Sequence, residues 1–132
     1  LLVKEMVDGK WSLPGGWADI GFSPSEIAVK ETLEEAGYIV EPLRLLAVMD
    51  KRCHKHPPDL YYIYKIFLEC KLVSKSVSDG METSDNGFFN EHELPDLSTP
   101  RNTLEQIKML FLENIHMREM ALIIKIFSTH TN

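Results

Sequence analysis

The chain is short of cysteine, of positive charge and of long apolar runs. Only two of its 132 residues are cysteine, Cys53 and Cys70. That is too few for a disulfide framework, and their spacing matches no metal-ligand pattern. A reducing, cytoplasmic compartment is therefore expected. Fourteen Lys and Arg stand against twenty Asp and Glu, a formal net charge of −6. Such a deficit argues against a general nucleic-acid binder, although it leaves room for a local basic pocket. No apolar run approaches the ~18 residues of a membrane span. Leu1-Leu2-Val3 gives way at once to Lys4 and Glu5, unlike a secretory leader. That strand-like opening has no initiator Met, so the chain reads as a fragment or processed product without its N-terminal part. Residues 1–132 are read as a single domain.

The N-terminal strand, residues 1–7, is turned by Asp8-Gly9, and Lys10–Leu13 return. Pro14-Gly15-Gly16 marks a place where backbone rather than side chain faces something. Trp17–Ile20 read as another short strand, ending at Gly21. A helix start follows. Ser23 is the N-cap, Pro24 the first helical residue and Glu26 the partner in a capping box, while Gly37 stops the helix after Ala36. Leu43–Met49 and Tyr61–Leu72 read as strands on either side of a polar loop at 50–59. A second polar loop spans 74–86. Gly87-Phe88-Phe89 read as a short strand, Glu91–Pro95 as a turn, and Thr103 with Gln106 as the box that opens a helix through at least Met117. Residues 121–132 read as a flexible tail, unless the apolar stretch Ala121–Phe127 is a packed terminal element or an exposed contact for a homodimer. Strands with one helix mid-chain and one near the end predict an α+β fold, a mixed sheet between two helices.

The mid-chain helix carries the chemistry. With Glu31 set at zero, Glu35 falls at about 40° and Glu34 at about 300°, whereas Val29, Leu33 and Ala36 fall at about 160°, 200° and 140°. The three carboxylates thus share one face, and the apolar three are expected to pack on the sheet. Like charges one turn apart repel by roughly a few tenths of a kcal/mol, a cost that a cation removes. Mg²⁺ or Mn²⁺ suits such a cluster, because both take oxygen ligands and share their shell with substrate phosphates. A bare E-x-x-E-E on a helix is ordinarily a solvated face; the Gly15-Gly16 turn ahead of the helix weighs the other way.

Gly16–Tyr38 resembles the Nudix box, G-x5-E-x7-R-E-U-x-E-E-x-G-U with U aliphatic. The matching run is Lys30-Glu31-Thr32-Leu33-Glu34-Glu35-Ala36-Gly37-Tyr38, led in by Leu13-Pro14-Gly15-Gly16-Trp17. The resemblance implies the Nudix fold, a mixed sheet sandwiched between helices. It also implies metal-dependent hydrolysis of a nucleoside diphosphate linked to another moiety. By position, Glu34 and Glu35 become metal ligands, Glu31 a ligand or the water-activating base, the Gly15 carbonyl a further ligand, and Lys30 the residue that holds Glu31. Three positions depart from the box. Phe22 stands where it has Glu, Lys30 gives a point charge in place of a guanidinium fork, and Thr32 replaces an aliphatic residue on the packing side. The ligand triad is intact, so metal binding is expected to survive with activity weakened or changed.

Outside the box, residues 45–58 and 82–95 resemble a bacterial subgroup of ADP-ribose or CDP-choline pyrophosphatases. That subgroup usually carries a small helical domain ahead of the Nudix domain, and these 132 residues contain none. Lys51, Arg52, His54 and His56 form a candidate pocket for substrate phosphates, or else an exposed loop. Two histidines without a Cys or acid at useful spacing make a poor zinc site. Glu82, ahead of an aromatic strand, is a candidate further acid for metal binding or base catalysis. Trp11, Trp17 and Tyr62 are candidates to stack on a base, although aromatics on strands more often fill cores. A small-molecule nucleotide is the expected partner, with ADP-ribose favoured. CDP-choline hydrolysis, a weakened module that binds nucleotide without efficient turnover, and a structural domain are the alternatives.

Overall fold

The computed structural model describes residues 1–53, 63–76 and 84–113. In chain order its elements are β1 (Leu2–Lys4), β2 (Trp11–Ser12), α1 (Pro24–Ala36), β3 (Tyr38–Asp50), β4 (Tyr64–Lys75), β5 (Asp85–Gly87) and α2 (Leu104–Glu113), with a 3-10 turn at Lys51–Cys53. β1 is the centre of an antiparallel sheet ordered β2-β1-β5. β3 and β4 form a long antiparallel ribbon from Tyr38↔Lys75 to Asp50↔Tyr64. Its register shifts between Pro42 and Arg44, where a proline that cannot donate to a ladder needs an irregularity. Among the described residues the parallel component is one bridge, Trp11↔Leu97.

Alternation along β1 makes the layers. Leu1 and Val3 point to a core with Ile27, Ala28, Ala36, Val40, Leu68 and Cys70. Leu2 points the other way, to a core with Leu13, Met49, Phe67, Leu97, Ile107 and Leu110. A strand whose side chains alternate faces thus lies between α1 and α2, each covering one core. The α+β expectation with strands between helices holds, but the described strands form two sheets rather than one.

Other expectations need correction. Trp17–Ile20 is an irregular, exposed segment flanked by Gly16 and Gly21, and among the described residues no strand pairs with it. β3 begins directly after Gly37, and β5 lies slightly earlier than Gly87–Phe89. Tyr62 and residues 121–132 lie outside the described residues.

The segment before α2 is tied to the N-terminus. The Ser98 amide donates to the Trp11 carbonyl and the Trp11 amide to the Asp96 carbonyl. The Leu13 amide donates to Asn102 Oδ1 at 2.9 Å. These bonds fix the strand that leads into Pro14-Gly15-Gly16 and so hold the loop against α1. Among the described residues no helix is long and apolar enough to cross a membrane.

Candidate active site

α1 is bounded as its sequence demands. The Ser23 hydroxyl accepts from the Glu26 amide, and the Glu26 carboxylate accepts from the Ser23 amide at 2.7 Å. Gly37 ends the helix in the left-handed region, φ 70°, its amide donating to the Leu33 carbonyl, a conformation that favours glycine.

The face that α1 buries matches the expected one in part: Ala36 is buried and Val29 packs against the same core, but Leu33 does not. Ile27, Ala28, Thr32, Glu35 and Ala36 are buried, and Leu33 is exposed. Thr32 fits its apolar setting by donating its hydroxyl to the Ala28 carbonyl at 2.8 Å. The acidic stripe is therefore half inside. Glu35 is buried, and the Glu31 side chain is only 12% exposed. Glu34 is the outermost of the three. A wheel drawn on apolar residues alone misses this, because the Gly15-Gly16 backbone, which has no side chain to signal it, is what packs on the carboxylates.

That loop meets them at close range. The Gly15 amide donates to Glu35 Oε2 at 3.0 Å. Gly15 has φ 150°, a conformation that L side chains rarely adopt. A Cβ on Gly16 would sit 3.0 Å from Glu31 Oε1, so any side chain there would press the Glu31 carboxylate back from its place against the backbone. Burial pushes the Glu35 carboxyl up to about 8, against the opposing Gly15 amide bond, with Glu31 and Glu5 pushing the same way and Arg101 against. Carboxylates confined together out of water disfavour their own negative charge. The same confinement favours a cation.

Lys30 supplies part of that positive charge. Its Nζ lies 3.2 Å from Asp19, 3.4 Å from Glu34 and 3.8 Å from Glu31. Its pKa is raised, first by the Asp19 hydrogen bond. Glu5, buried at the end of β1, accepts from the Ser12 hydroxyl at 2.5 Å and pairs with Arg101 Nε at 3.4 Å. Sequence reasoning missed Asp19, Glu5 and Arg101. The signal for Glu5 was a charge at the end of an apolar strand. For Asp19 it was an acid three residues before the position where the box has one.

The donor set is all oxygen, matching hard divalent cations. Glu31 and Glu35 already press on the glycine loop that a Cβ would obstruct. Among the described residues no three acid, His or Cys side chains converge on one point, for Glu34 is turned to Lys30. The residues fit a divalent ion in chemistry and in placement along the helix.

The other candidates stand apart from this helix in sequence. Lys51 is buried in the 3-10 turn, its amide bonded to the Ile63 carbonyl. Arg52 is exposed, with its guanidinium on Asp50 at 2.9 Å. His54, His56 and Glu82 lie outside the described residues. Trp11 is a core residue, edge-on to Phe89 at 5.0 Å; Trp17 is exposed beside the loop. Phe22 is 47% exposed, so the phenyl ring is not a core element.

A family model described as the NUDIX domain matches residues 1–111. A Bacillus subtilis (strain 168) protein, YjhB, provisionally named an ADP-ribose pyrophosphatase, is 52% identical over 111 residues, 84% of this chain and 53% of that protein. A second protein of the same organism, provisionally named an 8-oxo-dGTP diphosphatase, is 31% identical over 100 residues, 76% of this chain and 63% of that protein. The chain thus spans roughly half to two-thirds of the length of these relatives. Among solved structures, a UDP-X diphosphatase superposes with TM-score 0.77 at 36% identity, covering 89% of this chain and 57% of that one. An ADP-ribose pyrophosphatase from Streptococcus suis 89-1591 superposes with TM-score 0.75 at 37% identity, covering 95% and 87%. By its loop-helix, its two-helix architecture and this match over residues 1–111, the chain belongs to the Nudix family.

Proposed function

We propose that this chain is the hydrolytic domain of a divalent-metal-dependent pyrophosphatase. It cleaves the pyrophosphate bond of a nucleoside diphosphate linked to another moiety, and ADP-ribose is the favoured substrate. The observation that carries the reading is the clasp between the glycine loop and the acidic face of α1: the Gly15 amide on Glu35 and the side-chain-free Gly16 against Glu31. The names of the 52%-identical relative and of the Streptococcus structure favour ADP-ribose. Nudix hydrolases generally use divalent metal ions, and the oxygen donors here suit Mg²⁺ or Mn²⁺.

Glu34, Glu35 and the Gly15 carbonyl are the proposed ligands, with Glu31 a further ligand or the base that takes a proton from water. When bound, the ion offsets the charge of the adjacent phosphates and lowers the pKa of a coordinated water. The chain's own groups prepare that event. The Gly15 amide orients Glu35. The bare backbone of Gly16 admits Glu31. Lys30 restrains Glu34 and Glu31 from one side. Lys51, Arg52 and His54 are proposed phosphate contacts and Glu82 a further acid. The two free cysteines, Cys53 and Cys70, accord with a reducing, cytoplasmic setting.

The test is a panel of ADP-ribose, CDP-choline and a UDP-linked compound with Mg²⁺ or Mn²⁺, reading released phosphomonoesters. ADP-ribose plus water should give AMP and ribose 5-phosphate. Phosphomonoester release that Glu34→Gln does not reduce would overturn the assignment. Phe22 in place of the box acid motivates a second reading, a module that binds nucleotide with little turnover. Calorimetric binding of ADP-ribose without product would favour it.

A further inference from the structure

The box position that should carry an acid carries Phe22, yet Lys30 is held by an acid. That acid is Asp19, 3.2 Å from Lys30 Nζ. Asp19 and Phe22 are the two ends of one tight turn. The Phe22 amide donates to the Asp19 carbonyl at 3.3 Å. Gly21, at the third position, has φ 88°, close to the roughly +80° that a type II turn requires there. The ends of such a turn lie within about 7 Å of each other. A carboxylate at position 22 would therefore start within about 7 Å of the one at position 19.

We infer that Asp19 is a positioning residue that stands in for an acid at position 22: it shares the Lys30 ammonium, which also reaches Glu34 at 3.4 Å, and so keeps that ammonium from closing fully on Glu34 and Glu31. This inference rests on the proposed metal reading of α1. Lys30 is one cation among three carboxylates, at 3.2 Å from Asp19 and 3.4 and 3.8 Å from the two helix acids. Without Asp19 the ammonium has only Glu34 and Glu31 to turn to. It would then close on both and compete with a divalent ion for them. Phe22 itself is half-exposed and holds nothing in the core, which leaves its position free to accept the acid back.

The experiment is an electron paramagnetic resonance titration of the metal-free chain with Mn²⁺ at low ionic strength, alongside melting temperatures without metal. Four single variants are needed: Asp19→Asn, Phe22→Glu, Lys30→Met and Glu34→Gln. The doubles are Asp19→Asn with Phe22→Glu and Asp19→Asn with Lys30→Met. Asp19→Asn should weaken Mn²⁺ binding roughly threefold, the scale of one exposed ion pair, with the melting temperature unchanged. Adding Phe22→Glu should restore the affinity. In the Lys30→Met background Asp19→Asn should have no effect. An unchanged dissociation constant in Asp19→Asn overturns the inference. So does a loss that Phe22→Glu fails to restore, one that persists without Lys30, or a fall in melting temperature alone. Wild-type Mn²⁺ binding indifferent to Glu34→Gln overturns the metal reading itself, and the inference with it.

Discussion

α1 and α2 begin with the same device and bury opposite chemistry. Each opens on a reciprocal capping box, Ser23 with Glu26 and Thr103 with Gln106. In α1 the box is exposed and its partner is a carboxylate. In α2 the box is buried, and the neutral Gln106 also accepts from the buried ammonium of Lys65 at 3.1 Å. Further along, α2 places Ile107 and Leu110 in an apolar core. At the equivalent depth α1 places Thr32 and Glu35, with Glu31 close behind. Burial of carboxylates opposes folding unless something offsets it, whereas burial of a leucine favours folding. So both helices pack a core, and α2 gives the inner face beyond its cap to apolar packing. α1 is held in place by its caps, by Ile27, Ala28 and Ala36, and by the glycine loop, and the rest of its inward face carries Thr32 and Glu35, with Glu31 beside them.

The sharpest test of that division is Glu34→Gln. The amide keeps the shape and loses the charge. Turnover should fall by about a hundredfold or more, the size expected when a metal ligand rather than its outer support is lost. The melting temperature should hold or rise slightly as repulsion along the acidic stripe falls. Full activity in the folded variant would break the assignment of α1 as the functional helix.

Leu110→Ala probes the opposite helix. Leu110 is 2% exposed, in the core under α2. Its truncation should remove about 2–5 kcal/mol of stability by denaturant titration. The folded fraction should bind Mn²⁺ as the wild type does. A large loss of metal affinity would show that the two helices are not separable in this way.

The two cysteines report on a buried and an exposed setting. Cys70 lies in the core beneath α1, and burial pushes its thiol up to about 12. Cys53 is exposed in the 3-10 turn. At pH 8 a thiol reagent should label Cys53 quickly and Cys70 only through opening of the α1 core. Raising the pH toward 10 should not close the gap, since Cys70 is covered in the closed form and its labelling still waits on opening. A divalent ion at ten times its dissociation constant should slow Cys70 labelling by roughly tenfold if opening releases the ion. No protection by metal would mean that the core under α1 opens with the acidic face intact.

The limits of α1 were legible because caps and stops are local: Ser23, Pro24, Glu26 and Gly37 each act within a few residues. The Nudix box was legible for the same reason. The buried face of α1 was only partly so, since what covers the rest is the backbone of Gly15 and Gly16, and glycine has no hydropathy to read. Leu33 was expected inside and is outside, while Glu35 is inside. The full length of β3 was hidden by Pro42 and by its start directly after Gly37. The pairing of Asp19 with Lys30 depends on a turn that brings position 19 beside position 22, a closeness not apparent from spacing along the chain.

The smallest expected effect is that of Phe22→Glu in the otherwise native chain. Burial of the phenyl ring would have made this change costly, by several kcal/mol for an unpartnered carboxylate. Phe22 is instead 47% exposed, so the melting temperature should stay level. The new carboxylate lies just ahead of the N-terminus of α1. Negative charge there is favoured by roughly 0.3–1 kcal/mol. It also lies across the Gly21 turn from Asp19, where a second acid draws Lys30 further from Glu34. The first effect acts on the helix with or without an ion, whereas the second favours a divalent ion at Glu31, Glu34 and Glu35. Mn²⁺ affinity should therefore rise by roughly twofold, less than the loss from removing Asp19, because Lys30 already has one anchor. The measurement is the Mn²⁺ dissociation constant with the metal-free melting temperature beside it. A fall in melting temperature with no gain in affinity would mean that the loop has adapted to the aromatic ring. α1 would then resemble α2 more than its acidic face suggests, a helix kept for packing.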